Sequence, residues 1–409
     1  MQSPNEAVNM DGKLFYLKPR STAWEALTED DLKEYLSDDQ ALDEQEIAAR
    51  VRDNQQYMND FLLRALQIPN LSFFAGSGTS LGVVNGPSMG DLWQKAVKSD
   101  HRSTEVQEKV RYQESNPNIE HFLSQCDAYL AFNDDPEVDA FMLDVKSVIL
   151  HECSSFIGNG GSDISAYQSL LQKLARRRVR DPRLKVFTTN YDMCFETAAA
   201  NLGMMVIDGF SYSRYRRFDP KFFDYDVVRR ELESHEFVEG VIKLYKIHGS
   251  VSWGRNGKDI LELSDPDPKD AVLIYPAKGK YQQAFLQPHL ELLSRFLEML
   301  RVPNTCIMIS GFGFNDDHLS EPILSAIESN PSLKLIISDY RAHSNIESSG
   351  KGSSLYWKRL YELSNQGYDI HFINGDFTKF VGLIPNLRAI TPADQLVKAI
   401  KGVRGGNGF

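Results

Sequence analysis

The sequence has no paired cysteines, no triphosphate-binding glycine–lysine loop and no long uncharged apolar run, and each absence removes a class of protein. Its four cysteines, Cys126, Cys153, Cys194 and Cys306, stand far apart without a Cys-x-x-Cys pair. Neither a zinc site nor a disulfide framework is expected from them; buried free thiols in a reducing compartment are. No Gly-x-x-x-x-Gly-Lys-Ser/Thr occurs, which excludes a P-loop ATPase. No stretch is apolar enough for a membrane span, and no basic–apolar–cleavage pattern follows Met1, so a cytoplasmic chain with no membrane contact is expected. Positive charge is short as well. The 45 Lys and Arg against 56 Asp and Glu give a formal net charge of −11, which argues against a generally basic nucleic-acid surface and leaves a local patch open. Internal repeats and low-complexity blocks are missing.

What is present is organised around Leu71-Ser72-Phe73-Phe74-Ala75-Gly76-Ser77-Gly78-Thr79-Ser80, an apolar run leading into a Gly-x-Gly turn and two hydroxyl side chains. A buried parallel strand needs a near-continuous apolar run. Glycines at its end let the backbone turn tightly and approach a pyrophosphate, whose charge amide N–H groups and a helix dipole would meet. Gly-Ser-Gly alone is a weak motif, since flexible turns share its composition. The later stretches give it weight. Lys185 to Thr189 ends in Asn190-Tyr191-Asp192, and Val241 to Ile247 ends in His248-Gly249-Ser250. Thr305 to Ile309 ends in Ser310-Gly311-Phe312-Gly313, Leu333 to Ile337 in Ser338-Asp339, and Ile370 to Ile373 in Asn374-Gly375-Asp376. In an open parallel sheet, ligands bind at the carboxyl ends of the strands.

The pattern predicts an α/β fold with a Rossmann-like parallel sheet. Residues 1–60, polar and acidic, are expected to form an N-terminal helical arm; an amphipathic helix from Gln45 to Gln67 carries Ile47, Val51, Phe61, Leu62 and Leu66. Residues 61–400 form the nucleotide-binding domain, interrupted over 84–180 by helix-period sequence read as a large inserted helical module, with a joint at Gly158 to Gly161. The glycine-rich tail over 401–409 is expected to be flexible.

Over roughly Leu71 to Ile390 the ordered set resembles the sirtuin family, in particular its divergent branch in bacterial defence. Ala75-Gly76-Ser77-Gly78-Thr79 stands where sirtuins hold the NAD pyrophosphate, and Pro87 resembles the proline of the following cofactor loop. Thr188-Thr189-Asn190-Tyr191-Asp192 resembles the family's Thr-Gln-Asn-x-Asp, and Ile247-His248-Gly249 its His-Gly. Gly311-Phe312 looks like the late glycine turn, Asp339 like the ligand of the adenosine ribose, and Asp376 like the aspartate near the adenine. Three departures matter: the paired zinc-binding cysteines are missing, the Gln of Thr-Gln-Asn is Thr189, and no acyl-lysine groove is recognisable. The resemblance therefore implies an enzyme that hydrolyses NAD+ to ADP-ribose and nicotinamide, without zinc, to deplete NAD+ during anti-phage defence. It also implies restraint by assembly, as a homo-oligomer and with a HerA-type ATPase/translocase partner. The rival activities are an NAD-dependent deacylase or ADP-ribosyltransferase and a non-catalytic NAD or ADP-ribose sensor.

The residue chemistry fits these roles. Breaking the nicotinamide–ribose bond develops positive charge on the ribose. Asn190 offers both donor and acceptor to ribose hydroxyls or a water, and His248 is suited to accept a proton. Asp192 would bind the nicotinamide amide or orient Asn190. Each also has a plainer reading: Asn190 and His248 as turn residues, Asp192, Ser77 and Thr79 as helix caps. Asn315-Asp316-Asp317-His318 reads as a helix start rather than a metal site. Arg176-Arg177-Arg178 with Arg180 reads as a solvated helix end. Tyr212 to Phe223, aromatic and basic, reads as a cover for the cofactor or an oligomer contact.

Overall fold

The computed structural model describes residues 9–36, 42–113, 118–157, 163–177, 181–230, 235–273, 287–347 and 355–386. The expected joint at Gly158 to Gly161 and the tail over 401–409 lie outside these residues.

The strands, in chain order, are β1 (Phe15–Leu17), β2 (Glu25–Ala26), β3 (Asn70–Ala75), β4 (Leu184–Thr188), β5 (Met205–Ile207), β6 (Val228–Arg230) and β7 (His235–Phe237). They continue with β8 (Val241–Lys246), β9 (Gly249–Asn256), β10 (Asp259–Glu262), β11 (Ala271–Leu273), β12 (Thr305–Ser310), β13 (Leu333–Asp339) and β14 (Ile370–Asn374). A nine-stranded sheet in the order β2-β1-β14-β13-β12-β3-β4-β8-β5 organises the fold. From β14 to β5 every neighbouring pair is parallel. The α/β, Rossmann-like expectation holds. From β3 the chain first builds outward through β4, then returns to add β12, β13 and β14 on the other side. The switch point of the topology therefore lies between β3 and β12, which is where such sheets open a ligand crevice.

Both faces of the central strands are covered, which is why they read as continuous apolar runs. Successive side chains alternate between faces. Phe74 joins Phe187, Tyr245, Phe296 and Trp357 in one core, while Phe73 joins Tyr167, Val186, Phe195 and Phe377 in the other.

The N-terminal region holds two helices, Glu29–Tyr35 and Glu44–Leu66, together with two strands that a purely helical arm does not include. Phe15-Tyr16-Leu17 is buried and pairs antiparallel with β14, and β2 pairs with β1, so this segment caps the sheet edge. An unpaired strand edge is a pairing hazard, and this addition covers β14 and leaves only the two-residue β2 at that edge. The Asn374 amide fastens the same segment, donating to Met10 O at 2.6 Å and Lys13 O at 2.8 Å. The following helix, Glu44–Leu66, starts in a capping box at Asp43 and buries Ile47, Val51, Phe61, Leu62 and Leu66 as the periodicity predicts.

The insert is helical but not one unit. Helices Ile119–Leu130 and Pro136–Ser155 build a third core around Trp93, Phe122 and Phe141, which also takes in Tyr191 and Val251 from the carboxyl end of the sheet. The last helix, Ser165–Leu174, instead packs Tyr167, Leu170, Leu171 and Leu174 on the sheet, because it is the crossover into β4. The small antiparallel sheet β10-β9-β11 has its local signal in the two-residue turn Gly257-Lys258, with Gly257 at φ +61° in the first turn position.

Candidate active site

At the switch point two glycine turns interlock backbone to backbone. Gly76 N donates to Ser310 O at 3.0 Å and Gly78 N to Gly311 O at 2.9 Å. A Cβ on Gly76 would stand 2.4 Å from Gly311 O; one on Gly311, whose φ is +63°, would stand 2.5 Å from Thr79 N. The facing turn is thus one reason for these glycines. The amides also differ from the expected open cradle. Thr79 N donates to Gly76 O at 3.0 Å, Ser80 N to Ser77 O at 3.1 Å, and the helix that follows is the single turn Gly78–Leu81. Ser77 makes no side-chain cap and lies exposed at the tip; Pro87 follows, half-buried. Ala75 and Phe312 have structural duties. Ala75 O accepts from Thr188 Oγ1 at 3.0 Å and Thr189 N at 3.2 Å. The Phe312 ring is buried 4.9 Å from both Phe74 and Phe314, in the core rather than in the crevice.

Thr79 acts on Asn190. Its hydroxyl donates to Gly76 O at 2.8 Å and accepts from Tyr167 OH at 3.0 Å and Asn190 Nδ2 at 3.1 Å. One donor and two acceptor positions are then engaged, the full capacity of a hydroxyl, so its expected contact with a cofactor is replaced by a grip on the amide. Asn190 Nδ2 also donates to Ser80 Oγ at 3.2 Å, and its backbone N donates to Thr188 Oγ1 at 3.0 Å. With Nδ2 fixed in this network, Oδ1 is the atom Asn190 retains as an acceptor. Asp192, buried nearby, accepts through Oδ1 from Cys194 N at 3.0 Å, the first amide of the helix Cys194–Asn201, whose cap position is Met193.

His248 follows β8, the strand next to β4, and is 8% exposed. Gly249 after it has φ +97°, and a Cβ there would meet Val272 O at 2.1 Å, so glycine is required after His248 where β9 turns under β11. His248 Nε2 lies 3.1 Å from Asp316 Oδ2, at ion-pair distance though not aligned as a hydrogen bond. Asp316 caps the helix Asp317–Ser329 by accepting from His318 N at 2.9 Å, and His318 Nδ1 lies 3.4 Å from the same Oδ1. Burial alone would raise the Asp316 carboxyl, but the two histidines outweigh it and hold the group well below the usual carboxylate range. Burial pushes Glu120, from the helix Ile119–Leu130, up to about 8, and the Asp316 charge adds to the shift. His289 is pushed down to about 3 by burial; its neutral ring donates Nδ1–H to Ile247 O at 3.0 Å and backs the His248 turn.

On the far side of the switch point Asp339 ends β13. Its Oδ1 accepts from Arg341 N at 2.8 Å, and burial raises the carboxyl to about 6, opposed by Arg341 and reinforced by Asp11. Asp376 caps the helix Phe377–Leu383 by accepting from Lys379 N at 2.8 Å. The Asp339 and His248 strands are four steps apart across β12, β3 and β4. At an inter-strand spacing of about 4.8 Å this is roughly 19 Å, room for an extended dinucleotide.

Asn190 and His248 are thus brought onto neighbouring strand ends, with Asp339 across the switch point. Asp316, Glu120, Lys246 and His289 are the neighbours that sequence reading missed. Asp316 was legible only as a helix start, which it also is. The segment from Tyr212 divides in two: Arg216 pairs with Asp208 at 2.7 Å and Phe218 and Phe223 join the core rings, while Tyr212 and Tyr215 stay exposed. Of the basic run, Arg177 donates to Leu66 O, Ile68 O and Pro69 O at 3.1, 2.7 and 2.8 Å, tying together the chain that enters β3; Arg178 and Arg180 lie outside the described residues.

Residues 184–357 match the family model of the SIR2-like domain. The SIR2-like stretch contains Asn190, His248, Asp316 and Asp339; the Gly76 turn and the helical module precede it. No curated protein matches the chain. Among solved structures, one from work on the mechanism and regulation of Sir2 enzymes is 12% identical, covering 84% of this chain and 98% of its own at a TM-score of 0.38. A triple mutant of a Sir2 homologue in complex with 2'-O-acetyl ADP ribose is 12% identical, covering 80% and 94% at a TM-score of 0.39. Neither carries an argument about this site. All four cysteines are buried, and among the described residues no cluster of three or more His, Cys, Asp or Glu is set to hold a metal ion. Among the same residues no helix is long and apolar enough to cross a membrane.

Proposed function

We propose that the chain is an NAD+ glycohydrolase. The observation that carries this reading is the placement of Asn190 and His248 on the adjacent ends of β4 and β8, both buried, with the Asp316 carboxylate 3.1 Å from His248 Nε2. Hydrolysis breaks the ribose–nicotinamide C–N bond and adds water, giving ADP-ribose, nicotinamide and a proton. Asn190 Oδ1 accepts from a ribose hydroxyl or the attacking water. His248 takes the proton, and the Asp316 carboxylate stabilises the imidazolium that results. Asp192 receives the nicotinamide amide. Asp339 holds the adenosine ribose, Asp376 lies toward the adenine, and the exposed Ser77 with the Gly76 and Gly78 backbone, Thr189 and Pro87 face the pyrophosphate and the nicotinamide half. The SIR2-like match over 184–357 supports NAD+ as the substrate.

The biological setting is part of the same proposal: NAD+ depletion in bacterial anti-phage defence, in a cytoplasmic homo-oligomer controlled by a HerA-type ATPase. The test measures nicotinamide release from NAD+ by the full chain, alone and with that ATPase, beside an acyl-peptide substrate. Release without any acyl transfer supports the hydrolase. Release that depends on the acyl-peptide turns the reading to a deacylase.

A further inference from the structure

A lysine that the reaction itself does not use is bonded to both of the turns that carry the proposed reacting side chains. Lys246 is the last residue of β8, two before His248, and its side chain is 3% exposed. Burying an ammonium is unfavourable unless each proton finds an acceptor and a counter-charge is near. Here Nζ donates to Tyr191 O at 3.2 Å, to Asp192 O, to Ser250 Oγ at 2.9 Å and to Glu196 Oε1 at 3.0 Å.

The partners come from both sides of the site. Tyr191 and Asp192 directly follow Asn190, Ser250 follows the His248-Gly249 pair, and Glu196 lies in the first turn of the helix Cys194–Asn201. Backbone bonds join the same two turns, Ile247 N to Thr188 O at 2.9 Å and Val251 N to Tyr191 O at 3.0 Å. Those bonds bracket the two turns; Lys246 grips the loop carrying Asn190 and the turn carrying His248 at once, and Ser250 Oγ adds a longer contact of 3.5 Å to Tyr191 O.

From this we infer that Lys246 is a positioning residue that sets the separation of Asn190 from His248. The inference rests on the hydrolase reading. An apolar side chain of similar length would fill the space, but it would leave the Asp192 carbonyl without the ammonium that holds it and Tyr191 O with one donor fewer. Displacing a reacting group by about 1 Å costs on the order of 100-fold in rate. Substrate contacts at Asp339 and the glycine turns lie on other strands and are not held by Lys246.

The experiment compares full-length wild type, Lys246→Met/Glu196→Gln and Ser250→Ala, with kcat and KM for nicotinamide release expressed per folded molecule. The double variant removes both buried charges together, so no unpaired ion is left. It is expected to lower kcat by about 100-fold with KM within about threefold. Ser250→Ala, the smaller change, is expected to lower kcat several-fold in the same pattern. A lysine that merely stabilised the fold would lower the folded fraction and leave kcat per folded molecule unchanged, and that result overturns the proposal. If the double variant does not fold, Ser250→Ala decides by the same split. No release from wild type overturns the hydrolase reading and this inference with it; release from wild type with unchanged kcat in the folded variants overturns this inference alone.

Discussion

Asn190 Nδ2 donates to Thr79 Oγ1 across 3.1 Å, joining the turn after β4 to the turn after β3. Because that hydroxyl also accepts from Tyr167 OH at 3.0 Å, a helix of the crossover into β4 helps to set which way the Asn190 amide faces. Thr79→Val keeps the volume and removes the oxygen. It is expected to lower kcat for nicotinamide release by about tenfold or more, the cost of one buried polar contact, with KM little changed. Thr79→Ser is expected to stay within about threefold of wild type. Equal rates for the valine and serine variants would show that the contact does not orient the amide.

Asp316 ties acid–base behaviour to stability. Its carboxyl is held below the ordinary range, so its contribution is present above about pH 3.9 and is lost as pH falls through the folded value. His318 is raised, chiefly by its contact with Asp316, so its contribution is full below about pH 6.5 and is lost as pH rises through its folded value. Between those limits both are present. Above about pH 8 Glu120 ionises and repels Asp316. Urea unfolding of wild type and Asp316→Asn is therefore expected to differ by about 1–3 kcal/mol at pH 5.5 and by less at pH 8.5. A difference that is the same at both, or larger at pH 8.5, contradicts this assignment.

The raised carboxyl of Asp339, at about 6, gives binding its own pH signature. If the carboxylate form accepts the ribose hydroxyls, NAD+ affinity falls by about tenfold from pH 7 to pH 5 as the group takes up its proton. Titration calorimetry on the His248→Ala variant, which binds without turnover, measures this directly. Asp339→Asn is expected to bind weakly and to flatten the profile. A profile as steep in that variant as in its parent places the titrating group elsewhere.

The parallel sheet was legible because strands covered on both faces must be apolar along their length, as Leu71 to Ala75 and Thr305 to Ile309 are. The short strand Phe15–Leu17 was not: three residues carry too little periodicity to stand out in a polar, acidic segment, and the pairing with β14 and β2 makes them a strand. The same distinction divides the site. Asn190 and His248 follow strands and can be read locally. Lys246 looks like an ordinary strand lysine, and Asp316 like an ordinary cap, until the fold brings each beside its partners. Gly76 and Gly78 were read as a phosphate turn, whereas the close approach of Gly311 already demands small residues there. Turn composition cannot separate a glycine needed by a ligand from one needed by a facing backbone.

The most direct measurement is the stoichiometry of nicotinamide and ADP-ribose released from NAD+ by wild type, Asn190→Ala and His248→Ala, each with and without the HerA-type ATPase. The account predicts equal amounts of the two products from wild type. It predicts a loss of about 100-fold or more in either variant, with NAD+ still bound. Bound NAD+ with no release from wild type under either condition would contradict hydrolysis and leave a nucleotide sensor. Release undiminished in both variants would contradict the placement of the reacting centre between β4 and β8.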